Sequence, residues 1–243
     1  MRFLVLSSLS FTLFSTSTAF PSLLRVFLDL QFSPSQKTLE APAEFPEGWR
    51  DPKIGGGSMI DIATKTLGEP LNVIVSAKSH DYVLTDWGFR NYMRSLGYNE
   101  ECMKQHRGGH QQANLGDGFG YHPQQLLFRQ HYFPILGTCW ESLAGGQHFR
   151  GWKQNGTEAN TGAWFLAVSK EKYLGEGHLI VDDGYNKGRD WLVEKAVAGS
   201  RYQGRWWKAD VEWKEGLLKP GLEGINHNIS QDGVVAVLTV KQL

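Results

Sequence analysis

The chain has 243 residues, of which 41% are hydrophobic, 12% aromatic and 21% charged. That is too apolar and too weakly charged for a disordered chain, and long enough to bury a sizeable core. Lys plus Arg and Asp plus Glu are equal at 25 each, so no long-range field draws the chain to nucleic acid or to an anionic membrane.

Met1-Arg2 is a short basic start, and Phe3 to Phe14 is an apolar run. Ser17 and Ala19 then place small residues at −3 and −1 before Phe20. That order predicts a secretory signal peptide over 1–19 and hence a secreted protein. The run is shorter than the roughly 20 apolar residues a membrane span needs, and no later stretch is longer, so no membrane span is expected. Export changes how the two cysteines read. In an oxidising compartment Cys102 and Cys139 are expected to form a disulfide rather than a reactive thiol. The acidic neighbours of Cys102 would also raise, not lower, a thiol pKa. The triplets Asn155-Gly156-Thr157 and Asn228-Ile229-Ser230 are N-glycosylation acceptors and belong on exposed turns.

Residues 20–57 form a lead-in broken by Pro34, Pro42 and Pro46 and closed by Gly55-Gly56-Gly57. It is either a propeptide or an arm packed on the domain. A globular domain is expected over 58–243. Leu71 to Ala77 is a β-branched run and predicts a buried strand. Thr85 or Asp86 can cap the next helix, whose Phe89, Tyr92, Met93 and Leu96 repeat at i, i+3, i+4, i+7 before Gly97. Residues 105–122 are rich in Gly, His, Gln and Asn and read as a loop. Gln124 to His131 reads as a short helix. Phe149 to Lys153 and Trp164 to Ser169 read as paired strands around a polar turn. His178 to Val181 reads as a short strand, Asp190 to Ala198 as a helix, and Val234 to Val240 as a final strand. The sum is an α+β single domain, with a mixed β-sheet and a few packing helices.

Three groups of residues could carry chemistry. His106 and His110, with His122 and His131, could hold a metal ion. Gly108 and Gly109 work against a helical pair, each costing about 1 kcal/mol, so a polar loop is expected and no metal site. The second group is central. Strand alternation puts His148, Arg150 and Trp152 on one face. His178, Arg189 and Asp190 follow, and together these could form an acid–base pocket with arginines clamping an anionic oxygen. The alternative is a set of structural ion pairs. The third is the load of nine Trp, with Trp206, Trp207 and Trp213 late in the chain. Exposed rings would stack on sugars, and buried rings would fill the core. There is no GxSxG, no Walker A and no Rossmann glycine pattern, so no cofactor is expected.

Thr138-Cys139-Trp140-Glu141-Ser142-Leu143-Ala144-Gly145-Gly146, His148-Phe149-Arg150 and Gly162 to Ser169 resemble a family of uncharacterised secreted fungal proteins, over about 48–240. More distantly, Glu69 to Ala198 is similar to the LssY-like C-terminal domain. The likeness lies in Glu69-Pro70-Leu71-Asn72-Val73, the His148-x-Arg150-x-Trp152 strand, and His178 leading to Arg189-Asp190. The resemblance implies no established reaction, so His148, Arg150, His178, Arg189 and Asp190 carry over as pattern positions only. The first functional expectation is a secreted protein that binds an extracellular or cell-wall ligand. The alternative is a secreted hydrolase with a His/Arg/Asp pocket acting on a phosphate- or acyl-bearing substrate. Neither nucleic acid nor a given oligomeric state is called for.

Overall fold

The structure, a computed structural model, describes residues 45–104 and 109–243. The signal-peptide expectation, His106 and most of the lead-in lie outside these residues. The rest of the lead-in belongs to the fold: Trp49 and Pro52 are buried, and Trp49 packs edge-on to Phe165.

The class is α+β, with one mixed sheet of eight strands. Strand β1 (Val73–Val75) lies at its centre, parallel to β10 (Val235–Gln242) and antiparallel to β7 (Trp164–Glu171). Beyond β7 come β6 (Gly146–Lys153), β5 (Leu126–Gln130) and β2 (Tyr98–Glu100). Beyond β10 come β9 (Arg205–Lys214) and β8 (Ser200–Tyr202). A separate pair joins β3 (Gln112–Asn114) to β4 (Tyr121–Pro123). The helices are α1 (Asp81–Leu84), α2 (Asp86–Ser95), α3 (Gly137–Ala144) and α4 (Gly184–Ala198).

Both faces of the central strands are covered, which is why β1 and β7 read as continuous apolar runs. Val73, Val75, Leu166, Val168, Ala236 and Leu238 share one face with Phe89 and Tyr92 of α2 and Leu192 and Ala196 of α4. Ile74, Phe165 and Val237 point the other way, against Trp49, Met59, Leu115 and Leu218 from the loops. Thr85 caps α2 as expected, its Oγ1 accepting from the Gly88 amide at 3.0 Å.

Three expectations need correction. Residues 124–131 are not a helix. Leu126 and Phe128 face the core while Leu127 and Arg129 face the other side, so β5 pairs with β6 and β2, and tertiary pairing overrides the helix propensity of Gln, Leu and Arg. Within the loop assigned to 105–122, residues 112–114 pair with 121–123. Residues 178–181 do not form a strand: His178 has φ 55°, and only Ile180 bridges to Glu171.

Candidate functional site

Register places the site. On β6, His148 sits opposite Ser169 of β7 and Arg129 of β5, and Arg150 sits opposite Ala167 and Leu127. Side chains alternate along a strand, so Arg129, His148, Arg150 and Glu171 all emerge on one face. Charged groups there are costly unless paired, and each is paired.

Arg129 is the hub. Its Nη1 donates to Glu171 Oε2 at 2.7 Å and to Glu141 Oε2 at 3.1 Å, and its Nε lies 3.4 Å from Glu101 Oε1. Glu141 comes from α3, so this guanidinium ties the helix to the sheet. Glu141 is fully buried, and burial raises its carboxyl to about 7, with the Glu171 charge adding to the rise and Arg129 opposing it. Burial also pushes Glu171 up, but His148, His178 and Arg129 outweigh it and hold that carboxylate below its usual range.

His148 is fully buried. Its Nε2 lies 2.8 Å from Arg150 Nη1. A guanidinium can only donate, so Nε2 accepts and the proton sits on Nδ1. That Nδ1–H donates to Ser169 Oγ at 2.8 Å. The ring is therefore neutral, and burial, with Arg150 and Arg129 nearby, lowers its pKa to about 4. Both nitrogens are occupied inside the protein, so His148 orients Arg150 rather than touching a ligand.

Arg150 Nη1 also donates to Glu69 Oε2 at 3.0 Å. Gln111 Nε2 donates to the other Glu69 oxygen at 3.3 Å, and the Glu69 amide donates to Asp61 Oδ1 at 2.6 Å. Burial, and then the charge of Glu69, raises the pKa of Asp61 well above the usual carboxylate value.

These groups border a cavity of about 640 Å³, lined among others by Glu69, Gln111, Arg129, Arg150, Glu171, His178 and His227. The disulfide Cys102–Cys139 forms part of its wall. Three lining residues hold a buried polar atom without a hydrogen-bond partner: Gln111 Oε1, Arg150 Nε and His178 Nδ1. Asp61 Oδ2, behind Glu69, is a fourth. His178 Nδ1 lies 3.4 Å from Glu171 Oε2, which is ion-pair range without hydrogen-bond alignment. That carboxylate raises the His178 pKa, against the effect of partial burial.

Of the residues singled out from sequence, His148 and Arg150 meet directly, and His178 joins them through Glu171. Arg189 and Asp190 do not line this cavity. They border a second hollow of about 550 Å³ with Val193, Val211 and Trp213. Arg189 makes two bonds to Asp232, at 2.7 and 2.8 Å, and one to Asp190 at 2.8 Å, with its guanidinium 5.2 Å from the Trp213 ring centre. This is a clamp between α4 and the turn before β10. Helix α4 begins at Gly184, so Asp190 is interior to it and not at its positive end.

Sequence reasoning missed Glu69, Arg129 and Glu171. Arg129 was hidden by the helix reading of its segment, and Glu171 ends an apolar strand that advertises only core. The tryptophans divide: Trp152, Trp164 and Trp207 are fully buried, whereas Trp87, Trp140, Trp206 and Trp213 are exposed. Both sequon asparagines, Asn155 and Asn228, are exposed. No family model, curated protein or solved structure matches the chain.

Proposed function

We propose that this protein is secreted and binds a hydroxyl-rich extracellular ligand, of the kind a cell-wall glycan presents, in the cavity beside Arg150. The observation that carries this reading is the gathering of partnerless buried polar atoms there. Buried polar groups are normally satisfied, and each one left open costs about 1–3 kcal/mol. Gln111 Oε1 can accept, and Arg150 Nε can donate, from and to the hydroxyls of one small molecule. An anionic ligand fits less well, because Arg129 and Arg150 already face carboxylates. The disulfide supports an oxidising compartment and therefore export.

Titration calorimetry with soluble neutral glucan and chitin fragments tests the reading. Saturable binding is expected, weakened about tenfold or more by Gln111→Ala, the effect of roughly one hydrogen bond's worth of energy. Absence of binding to every fragment, or binding indifferent to both Gln111→Ala and His178→Ala, overturns it.

A hydrolase is the second reading, and one observation favours it. His178 lines the cavity with the Glu171 carboxylate against one ring nitrogen, which raises the imidazole pKa and suits it to proton transfer. Its expected signature is turnover of an aryl acetate or aryl phosphate that His178→Ala abolishes.

A further inference from the structure

Helix α3 is amphipathic in the reverse sense. A surface helix normally turns apolar residues inward and charge outward. Here Gly137, Thr138 and Glu141 are buried, and Glu141, the only charged residue of the helix, points in to Arg129. The outward stripe is Leu136, Trp140 and Leu143, spaced i, i+4, i+7 and respectively 52%, 50% and 55% exposed. Leu143 also lines the cavity, as does the exposed Leu174 on the neighbouring turn. The stripe thus runs about 10 Å outward from the polar pocket.

The segment before the helix continues it. From His131 to Trp140 there is no Lys, Arg, Asp or Glu. Phe133 lies 6.4 Å from the Trp140 ring, and Ile135 is 90% exposed. Ile135 also has φ 71°, a conformation that β-branched residues avoid. The surface is held rather than collapsed: Tyr132 Oη donates to the Gly145 carbonyl at 2.9 Å, and Cys139 is tied to Cys102. A strained apolar tip, held out in solvent next to a polar cavity, fits a ligand that has both kinds of surface.

We infer that the cavity takes an amphiphile, with an uncharged hydroxyl-bearing head against Glu69, Gln111 and Arg150 and an aliphatic chain along Leu143, Trp140 and Leu136. This rests on the ligand-binding reading above and narrows it to a class. An anionic head is disfavoured because the arginines beside it are already matched by carboxylates, and a hydroxyl head meets the open Gln111 acceptor and Arg150 donor together. The chain lies on α3 because that wall is both apolar and open.

Calorimetry with methyl, hexyl, heptyl and octyl glucoside, each below its micelle concentration, tests the inference. Affinity is expected to rise about fourfold with each methylene, the increment for burying one such group. Leu143→Asp and Trp140→Asp, both at exposed positions, should flatten that rise while leaving the fold intact by circular dichroism. Gln111→Ala should weaken every glucoside by the same factor. If methyl glucoside or a soluble glycan binds as tightly as octyl glucoside, the glycan reading stands and the amphiphile falls. If neither glycans nor glucosides bind, both fall. A chain-length effect indifferent to Gln111→Ala is mere adsorption and overturns the inference, and so does tighter binding of hexyl phosphate than of hexyl glucoside. Self-association that Leu143→Asp abolishes, with no chain-length effect, gives the stripe to a second copy and also overturns it.

Discussion

Glu141 and His148 are both fully buried, and their shifts oppose each other. Glu141 titrates near 7 in the folded chain against 4.5 for a free carboxyl, so between those values the folded state holds the extra proton. Its contribution is fully present below about pH 4.5 and lost as pH rises through 7. His148 titrates near 4 against 6.5, so its contribution is present above 6.5 and lost as pH falls to 4. In the shared window the two slopes offset. Glu141→Gln removes one of them. The stability of the wild type relative to this variant should fall by on the order of 3 kcal/mol between pH 4.5 and pH 8, as read by urea denaturation at each pH. Within the variant, stability should drop as pH falls from 6.5 to 4. At this scale the sequence was half legible. Alternation alone put His148 and Arg150 on one face. The carboxylates beside them, Glu171 on β7 and Glu69 ahead of β1, come from two other segments, and single-chain periodicity carries no signal for which acid meets which base.

Among the elements, α4 crosses close to β7 at Gly188. A Cβ there would lie 2.6 Å from the Ser169 Cα and carbonyl carbon. Glycine in a helix normally weakens it, and alanine should gain about 1 kcal/mol. Here the sign reverses: Gly188→Ala should cost about 1–3 kcal/mol by overpacking, visible as a lowered thermal midpoint. Helix α3 depends instead on the disulfide. Replacing Cys102 and Cys139 by serine opens a loop of sequence separation 37 and should remove about 4 kcal/mol on the chain-entropy model, or a Tm drop of about 10 °C. Elements with strong patterns were read well. Helix α2, the β6–β7 pair with its polar turn, and β10 all follow from periodicity and β-branched content. Strand β5 is hidden in the sequence because its residues favour helix in isolation, and only β6 and β2 on either side make it extended. The hinge between Val181 and Gly184, where Asp183 has φ 59°, starts α4 earlier than its apolar spacing suggests.

At the scale of the molecule, mixed α+β architecture was readable from the alternation of strand-like and helix-like runs. Strand order was not. Nothing in the sequence says that β10 inserts between β1 and β9, because that pairing is set by which buried faces complement each other over a separation of some 160 residues. The order makes a prediction. A chain ending at Gly233 loses the strand that joins β9 and β8 to the rest and uncovers Val237 and Leu238's partners on both faces. It should lack a cooperative thermal transition by circular dichroism, whereas removing Leu243 alone should leave that transition intact.

The same insertion bears on how the polypeptide is made. A sheet completed by the segment 235–242 cannot assemble while that segment is still inside the ribosome, so β1 and β9 wait without their shared neighbour until residues 235–242 have emerged. During that interval the nascent molecule offers bare strand edges to chaperones and to other copies of itself, and the time taken to translate from β9 to the end of β10 governs how long the exposure lasts.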